Sequence, residues 1–142
     1  MNTWKPRSLE DKLLYQYWLE VGGLLCLEVP IGFPGGSGNW PSGSKTRRID
    51  GVLLKNQEWN IVRFRDREAE FLEAMQTQTV ELIEVKKKLN RLVIGQVIAG
   101  VDMFERQYQA GKIKPVILCT EGDPALEWVC EKRGIEVIRL NE

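Results

Sequence analysis

The chain contains no histidine. That removes histidine-dependent nucleophile triads, HEXXH metalloproteases, C2H2 fingers and nucleases that rely on a histidine base. Cysteine is scarce: Cys26, Cys119 and Cys130 are odd in number and far apart. No paired CxxC is left for zinc, and isolated thiols suit a reducing compartment, so a cytoplasmic location is expected. Long hydrophobic runs are also missing. The most apolar helix candidate, Leu92 to Phe104, is short and is broken by Gln96 and Asp102, so no membrane span is expected. The opening Met1 to Pro6 lacks the apolar core of a secretory signal. Neither sign of charge is in excess, with 20 basic and 20 acidic residues. No global field steers the protein to nucleic acid, and such binding must rest on a local patch. Carboxylates, lysine and a hard divalent metal are what remains for chemistry.

At 142 residues, with no internal repeat, the chain reads as one domain over residues 1–142, long enough to bury a core. Ser8-Leu9-Glu10-Asp11 opens a helix in the manner of a capping box. Its apolar stripe runs through Leu9, Leu13, Leu14, Tyr17, Trp18 and Val21, and Gly22-Gly23 ends it. Glu10 lies on the side of Leu13, Leu14 and Tyr17. A strand follows over Leu24 to Ile31. The Gly/Ser/Pro-rich stretch Gly32 to Ser44 carries Phe33 and Trp40 and reads either as a flexible connector or as a substrate-binding loop. Gly38 to Thr46 looks like a P-loop, but it has one residue too many before Lys45 and leads into a strand, so no nucleotide cofactor is expected.

A second strand begins near Ile49, with Asp50 at its start. The turn-like Lys55-Asn56-Gln57-Glu58 makes Trp59 to Phe64 its expected hairpin partner. Arg65 to Met75 reads as a helix with Phe71, Leu72 and Met75 on its apolar edge. Val80 to Lys88 reads as a buried strand rich in β-branched residues, yet Glu84 and Lys86, two apart, leave the same face of it. A carboxylate and an ammonium on an apolar strand are costly unless something uses them. Asn90 caps a helix from Arg91 to about Tyr108 that is apolar on more than one side. Such a helix is either deeply buried or shared with a second subunit, and a homodimer or higher homo-oligomer is expected. Strand, helix and strand then follow over Pro115 to Leu140, implying parallel pairing with the central strand.

The polar residues that interrupt these apolar patterns are Glu10, Asp50, Glu84, Lys86 and Gln96. In this order the sequence resembles the PD-(D/E)XK nuclease superfamily, from about Ser8 to Leu118. Arg48-Ile49-Asp50-Gly51 resembles its first motif, with isoleucine where proline often stands, and Ile83-Glu84-Val85-Lys86 resembles its second. Gln96 resembles the helix glutamine of many members. In length, in Glu10-Asp11-Lys12-Leu13-Leu14 and in Gly35-Gly36-Ser37-Gly38 the chain is similar to archaeal Holliday-junction resolvases, and small homing and restriction endonucleases are similar too. The resemblance implies an α/β, restriction-endonuclease-like core with a mixed central sheet flanked by helices, in the order αβββαβαβ.

The same resemblance implies a metal-dependent endonuclease acting on DNA, with Asp50, Glu84, Lys86, Glu10 and Gln96 as the catalytic set. Asp50 and Glu84 on neighbouring strands would repel unless a divalent cation lay between them. Mg2+ is the expected ion, with Mn2+ as substitute and Glu10, or alternatively Glu20, completing its shell. Lys86 would orient water or stabilise the developing anion. Lys45, Arg47, Arg48, Lys87, Lys88 and Arg91 would contact DNA phosphates without reading bases. Trp40 and Phe33 are candidates for stacking on bases. The rival readings are a catalytically inactive nuclease-fold DNA-binding or assembly subunit, and an α/β domain in which these charges are incidental.

Overall fold

The computed structural model describes residues 4–142; residues 1–3, part of the stretch read for a secretory signal, lie outside the described residues. The elements run α1 (Leu9–Val21), β1 (Leu24–Ile31), β2 (Arg47–Leu54), β3 (Asn60–Arg63), a 3-10 turn (Phe64–Asp66), α2 (Glu68–Met75), β4 (Thr79–Val85), α3 (Arg91–Gln107), β5 (Lys112–Cys119), α4 (Pro124–Lys132) and β6 (Glu136–Arg139). The six strands form one mixed sheet in the order β3-β1-β2-β4-β5-β6. Only β2 runs against its neighbours; β1 and β3 are parallel, as are β4, β5 and β6. No helix among the described residues is long and apolar enough to cross a membrane.

Capping sets the first helix as its sequence implies. Ser8 Oγ accepts the Asp11 amide at 3.0 Å, and Glu10 and Asp11 sit in the first turn, where the helix dipole favours acids. Helix α1 covers one face of the sheet with Leu13, Leu14, Tyr17 and Trp18, packed on Leu25, Leu27, Ile83 and Val85. Helices α2, α3 and α4 cover the other face. Helix α3 is apolar over a wide arc because it serves two adjoining clusters of that face. Phe104 packs with β1, β2 and α2, while Val93, Ile94 and Val97 pack with Ile117, Cys119 and Cys130. Its breadth is thus accounted for within one chain.

The expected hairpin of β2 with β3 does not form. One edge of β2 is taken by β1 and the other by β4. Strand β3 instead joins the outer edge of β1, in parallel, with Leu24 opposite both Leu54 and Asn60. The connection must therefore cross the start of β1. Gly23, at φ 90°, makes room: a Cβ there would lie 2.5 Å from the Leu54 carbonyl oxygen. Asn60 then donates its amide to the Gly23 carbonyl at 3.2 Å. The glycine pair that ends α1 also permits the crossover.

The Gly/Ser/Pro-rich loop is a fixed element. Gln107 of α3, only 3% exposed, accepts the Gly32 amide (3.2 Å) and the Trp40 indole N–H (2.6 Å) on its side-chain oxygen and donates to Ser37 Oγ (3.2 Å). Arg106 donates to the Gly38 and Asn39 carbonyls and lies 4.1 Å over the Trp40 ring. Trp40 packs over Gly38, and Phe33 over Gly36. Both aromatics thus pack on their own loop.

Candidate active site

The β2–β4 ladder pairs Leu53 with Glu81, Val52 with Leu82 and Gly51 with Ile83. One step further, the same register sets Asp50 opposite Glu84, but the ladder has stopped. Asp50 Oδ2 takes the Val85 amide at 2.9 Å in place of a backbone carbonyl. On the other side of β2 the pairing lapses as well, since Leu27–Gly51 and Val29–Ile49 pair while Glu28 and Asp50 do not. Glu28 has a left-handed φ of 56°, a conformation that costs energy outside glycine.

Both strands change facing at this point. Leu27 packs toward α1 and Val29 toward α3; Gly51 faces Leu14 of α1, while Ile49 packs on the α3 side. Strict alternation would keep Ile49 and Gly51 on one face. The irregularity turns the Asp50 carboxylate into a groove beneath the N-terminus of α1. That groove, of about 150 Å³, is lined among others by Glu10, Asp11, Glu28, Arg48, Arg63 and Val85.

Glu84 points to the other face. It borders a second groove of about 450 Å³, with Arg47, Arg48, Arg91 and Gln96 among the lining residues. Arg48 and Ile49 line both grooves, so the two carboxylates meet where the grooves adjoin. Their electrostatics agree with that contact. Burial, followed by the facing charge of Asp50, pushes the Glu84 carboxyl up to about 9. The Asp50 carboxyl is raised as well, chiefly by loss of solvent, and the Val85 amide opposes the rise while Glu10 and Asp11 add to it. Asp50 keeps one side open to water, so the crowding comes from the groove walls and leaves an approach from solution.

Lys86 continues β4 past its last paired residue, and its amide donates to the Leu118 carbonyl at 3.0 Å. Its side chain is half-buried, and among the described residues no ion pair is formed by it. Lys86 lines neither of the two grooves beside the carboxylates.

The structure thus brings Glu10 beside Asp50, Asp50 against Glu84, and Gln96, Arg47, Arg48 and Arg91 around Glu84. Other expected site residues lie apart. Glu20 is exposed near the far end of α1 and lines neither groove. Lys45 lends its carbonyl to Arg47 at 2.6 Å. Lys87 reaches Glu142 at 3.6 Å, and the Lys88 backbone forms an isolated parallel β-bridge with Glu121. None of these three lysines lines a groove beside the carboxylates. Sequence reasoning missed Arg63 and Glu28, which pair at 3.2 Å and line the Asp50 groove. Glu28 carried a usable signal, because it interrupts an apolar strand just as Glu84 does.

Among the described residues, no three acidic or thiol side chains stand close enough together to hold a metal ion. Asp50 and Glu84 are a pair of hard oxygen donors whose mutual repulsion a cation would relieve, and this fits a divalent ion held by two protein carboxylates. Glu10 stands in the same groove as Asp50 without completing a cluster.

No family model matches the chain, and no curated protein matches it. Among solved structures it is similar to one described as a repair endonuclease from Pyrococcus abyssi, at 13% identity and a TM-score of 0.50, over 97% of this chain and 50% of that one. The chain therefore spans about half the length of that endonuclease, and the likeness, with the mixed sheet and its flanking helices, gives the protein an endonuclease-like α/β fold.

Proposed function

We propose that the protein is a metal-dependent endonuclease of the PD-(D/E)XK type that hydrolyses DNA phosphodiester bonds. The observation that carries this reading is the meeting of the Asp50 and Glu84 carboxylates where the β2–β4 ladder opens, where burial and the facing charge of Asp50 raise the Glu84 carboxyl. Such an arrangement serves no packing purpose. Asp50 and Glu84 would hold a Mg2+ ion, with Mn2+ able to replace it, and Glu10 would join through water. When bound, the ion supplies charge neutralisation at the scissile phosphate and a water of lowered pKa.

The chain's own groups do the rest. The Val85 amide fixes the Asp50 carboxylate. Lys86 donates a hydrogen bond to the phosphoryl oxygen on which charge grows. Arg47, Arg48 and Arg91 hold the flanking phosphates, and Gln96 orients the strand from α3. A duplex cutter needs two active sites or two visits, so a homo-oligomer belongs to the proposal. The test is cleavage of duplex, single-stranded and branched DNA with and without Mg2+, with Glu84→Ala as control. Cleavage that is absent, or indifferent to both the metal and Glu84, would overturn it.

A second reading is an inactive nuclease-fold DNA-binding or assembly subunit. The observation in its favour is the lack of a third ligating side chain near the pair among the described residues. DNA binding without cleavage in the same assay would select it.

A further inference from the structure

The groove beside Glu84 is much larger than the Asp50 groove, about 450 against 150 Å³. That places it within the size range of pockets that enclose a small organic group. Its chemistry is mixed. Arg47, Arg48 and Arg91 line it together with the apolar Ile31, Met103 and Leu92. Leu92 is 64% exposed at the first turn of α3, where a polar residue would carry no penalty.

The space is kept open by residues that are poor choices for a helix. Gly95, Ala99 and Gly100 line the groove from the middle of α3. Glycine disfavours a helix interior, and close packing is the usual reason to keep it. Here there is none: a Cβ at Gly95 or Gly100 would meet nothing within 4 Å, although Gly100 is buried. The volume is left for an occupant.

We infer that this groove takes one unstacked nucleotide of the substrate strand, with its base over Gly95 and Ala99, between Leu92 and Met103, and its phosphates on Arg47, Arg48 and Arg91. The inference rests on the nuclease reading and sharpens it, because the strand cut at Asp50 and Glu84 would carry an unpaired base beside the scissile bond. A flat aromatic base with phosphates on either side matches this mixed apolar and cationic lining, and a base already unpaired is the one most cheaply swung out of a stack. The lining includes an adaptable methionine, so bases of different size are accommodated.

The test uses duplex oligonucleotides with one 2-aminopurine, fully paired or in a single-nucleotide bulge, titrated in EDTA and again with Ca2+. The parent protein should bind the bulged duplex at least about tenfold more tightly than the paired one and change the 2-aminopurine emission. Gly95→Leu and Ala99→Leu fill the groove and should bring that ratio to about one. Gly95→Leu should not lower the melting temperature, because it removes a helix-interior glycine with open space beside it. A parent without preference for the bulge, or variants that keep the parent ratio, would overturn the inference. If Mg2+-dependent cleavage is present without bulge preference, this inference alone fails; if the protein neither binds nor cuts DNA, the nuclease reading fails with it.

Discussion

Strand β4 carries two glutamates three residues apart, on opposite faces, and they have opposite surroundings. Glu81 is 2% exposed, yet it is fully engaged: it accepts the Tyr17 hydroxyl at 2.6 Å and pairs with Lys55 at 2.9 Å and Lys114 at 4.0 Å. Glu84 is less buried but faces Asp50. One carboxylate is compensated by cations and a hydroxyl and ties α1 to the sheet. The other has a second acid, Asp50, as its neighbour and no cation paired with it among the described residues. A buried charge with partners is architecture, whereas a half-buried charge set against its like marks a place awaiting something else.

The largest expected break in this contrast is kinetic. Lys86→Ala should lower the single-turnover cleavage rate on saturating DNA by roughly 100- to 1000-fold, or about 3–4 kcal/mol, through loss of a preorganised donor, with the fold and metal binding retained. Parent-like cleavage by this variant would remove β4 from the chemistry.

Stability should separate the glutamates next. In urea unfolding, Glu81→Ala should cost about 2–3 kcal/mol, because it leaves the Tyr17 hydroxyl unpaired in the core. Glu84→Ala in metal-free protein should cost less, since Glu84 is only half-buried and its ionised form is opposed by Asp50. Equal losses at both positions would erase the distinction.

The contrast also has a pH signature. The Glu84 carboxyl of the folded chain titrates near 9, above its ordinary 4.5, so the folded state holds the proton more tightly than the unfolded one. Its contribution is fully present below about 4.5 and is lost as pH rises toward 9. Metal-free parent should therefore lose stability relative to Glu84→Gln across that window, and Mg2+ should reduce the loss. A constant difference between the two melting curves would contradict the assignment.

The smallest effect concerns the rim. Replacing Arg47 and Arg48 with alanine should lower the slope of log affinity against log salt by about 0.9 per lost phosphate contact. Lys87→Ala, a residue engaged with Glu142, should leave the slope nearly unchanged.

The meeting of Asp50 and Glu84 was legible because charges stand out in runs of β-branched residues, and that contrast is local. Helix α3 and the parallel β4-β5-β6 unit were legible for the same reason. The place of β3 was not. A short turn between two strand-like segments suggests a hairpin, and nothing within those segments records that β4, some 20 residues later, claims the free edge of β2. The loop from Gly32 to Ser44 was open to two readings because its order depends on Gln107 and Arg106, far along the chain. Of the basic residues, those on β2 and at the start of α3 reached the groove. The lysines after β4 did not, because the backbone there turns toward Glu121.

The crossover at Gly22 and Gly23 has a consequence for how the molecule assembles and loosens. Strand β1 must be held by β2 before β3 has an edge to join, since the bridge between them passes over the start of β1. Strand β3 is four residues long and borders the sheet on one side only. It is therefore a late-docking, early-fraying flap, whose amides should exchange with solvent well before those of Val80 to Ile83. Arg63 at the end of that flap lines the Asp50 groove, so one wall of the site is hinged to an edge strand, while the carboxylates stand on enclosed ones.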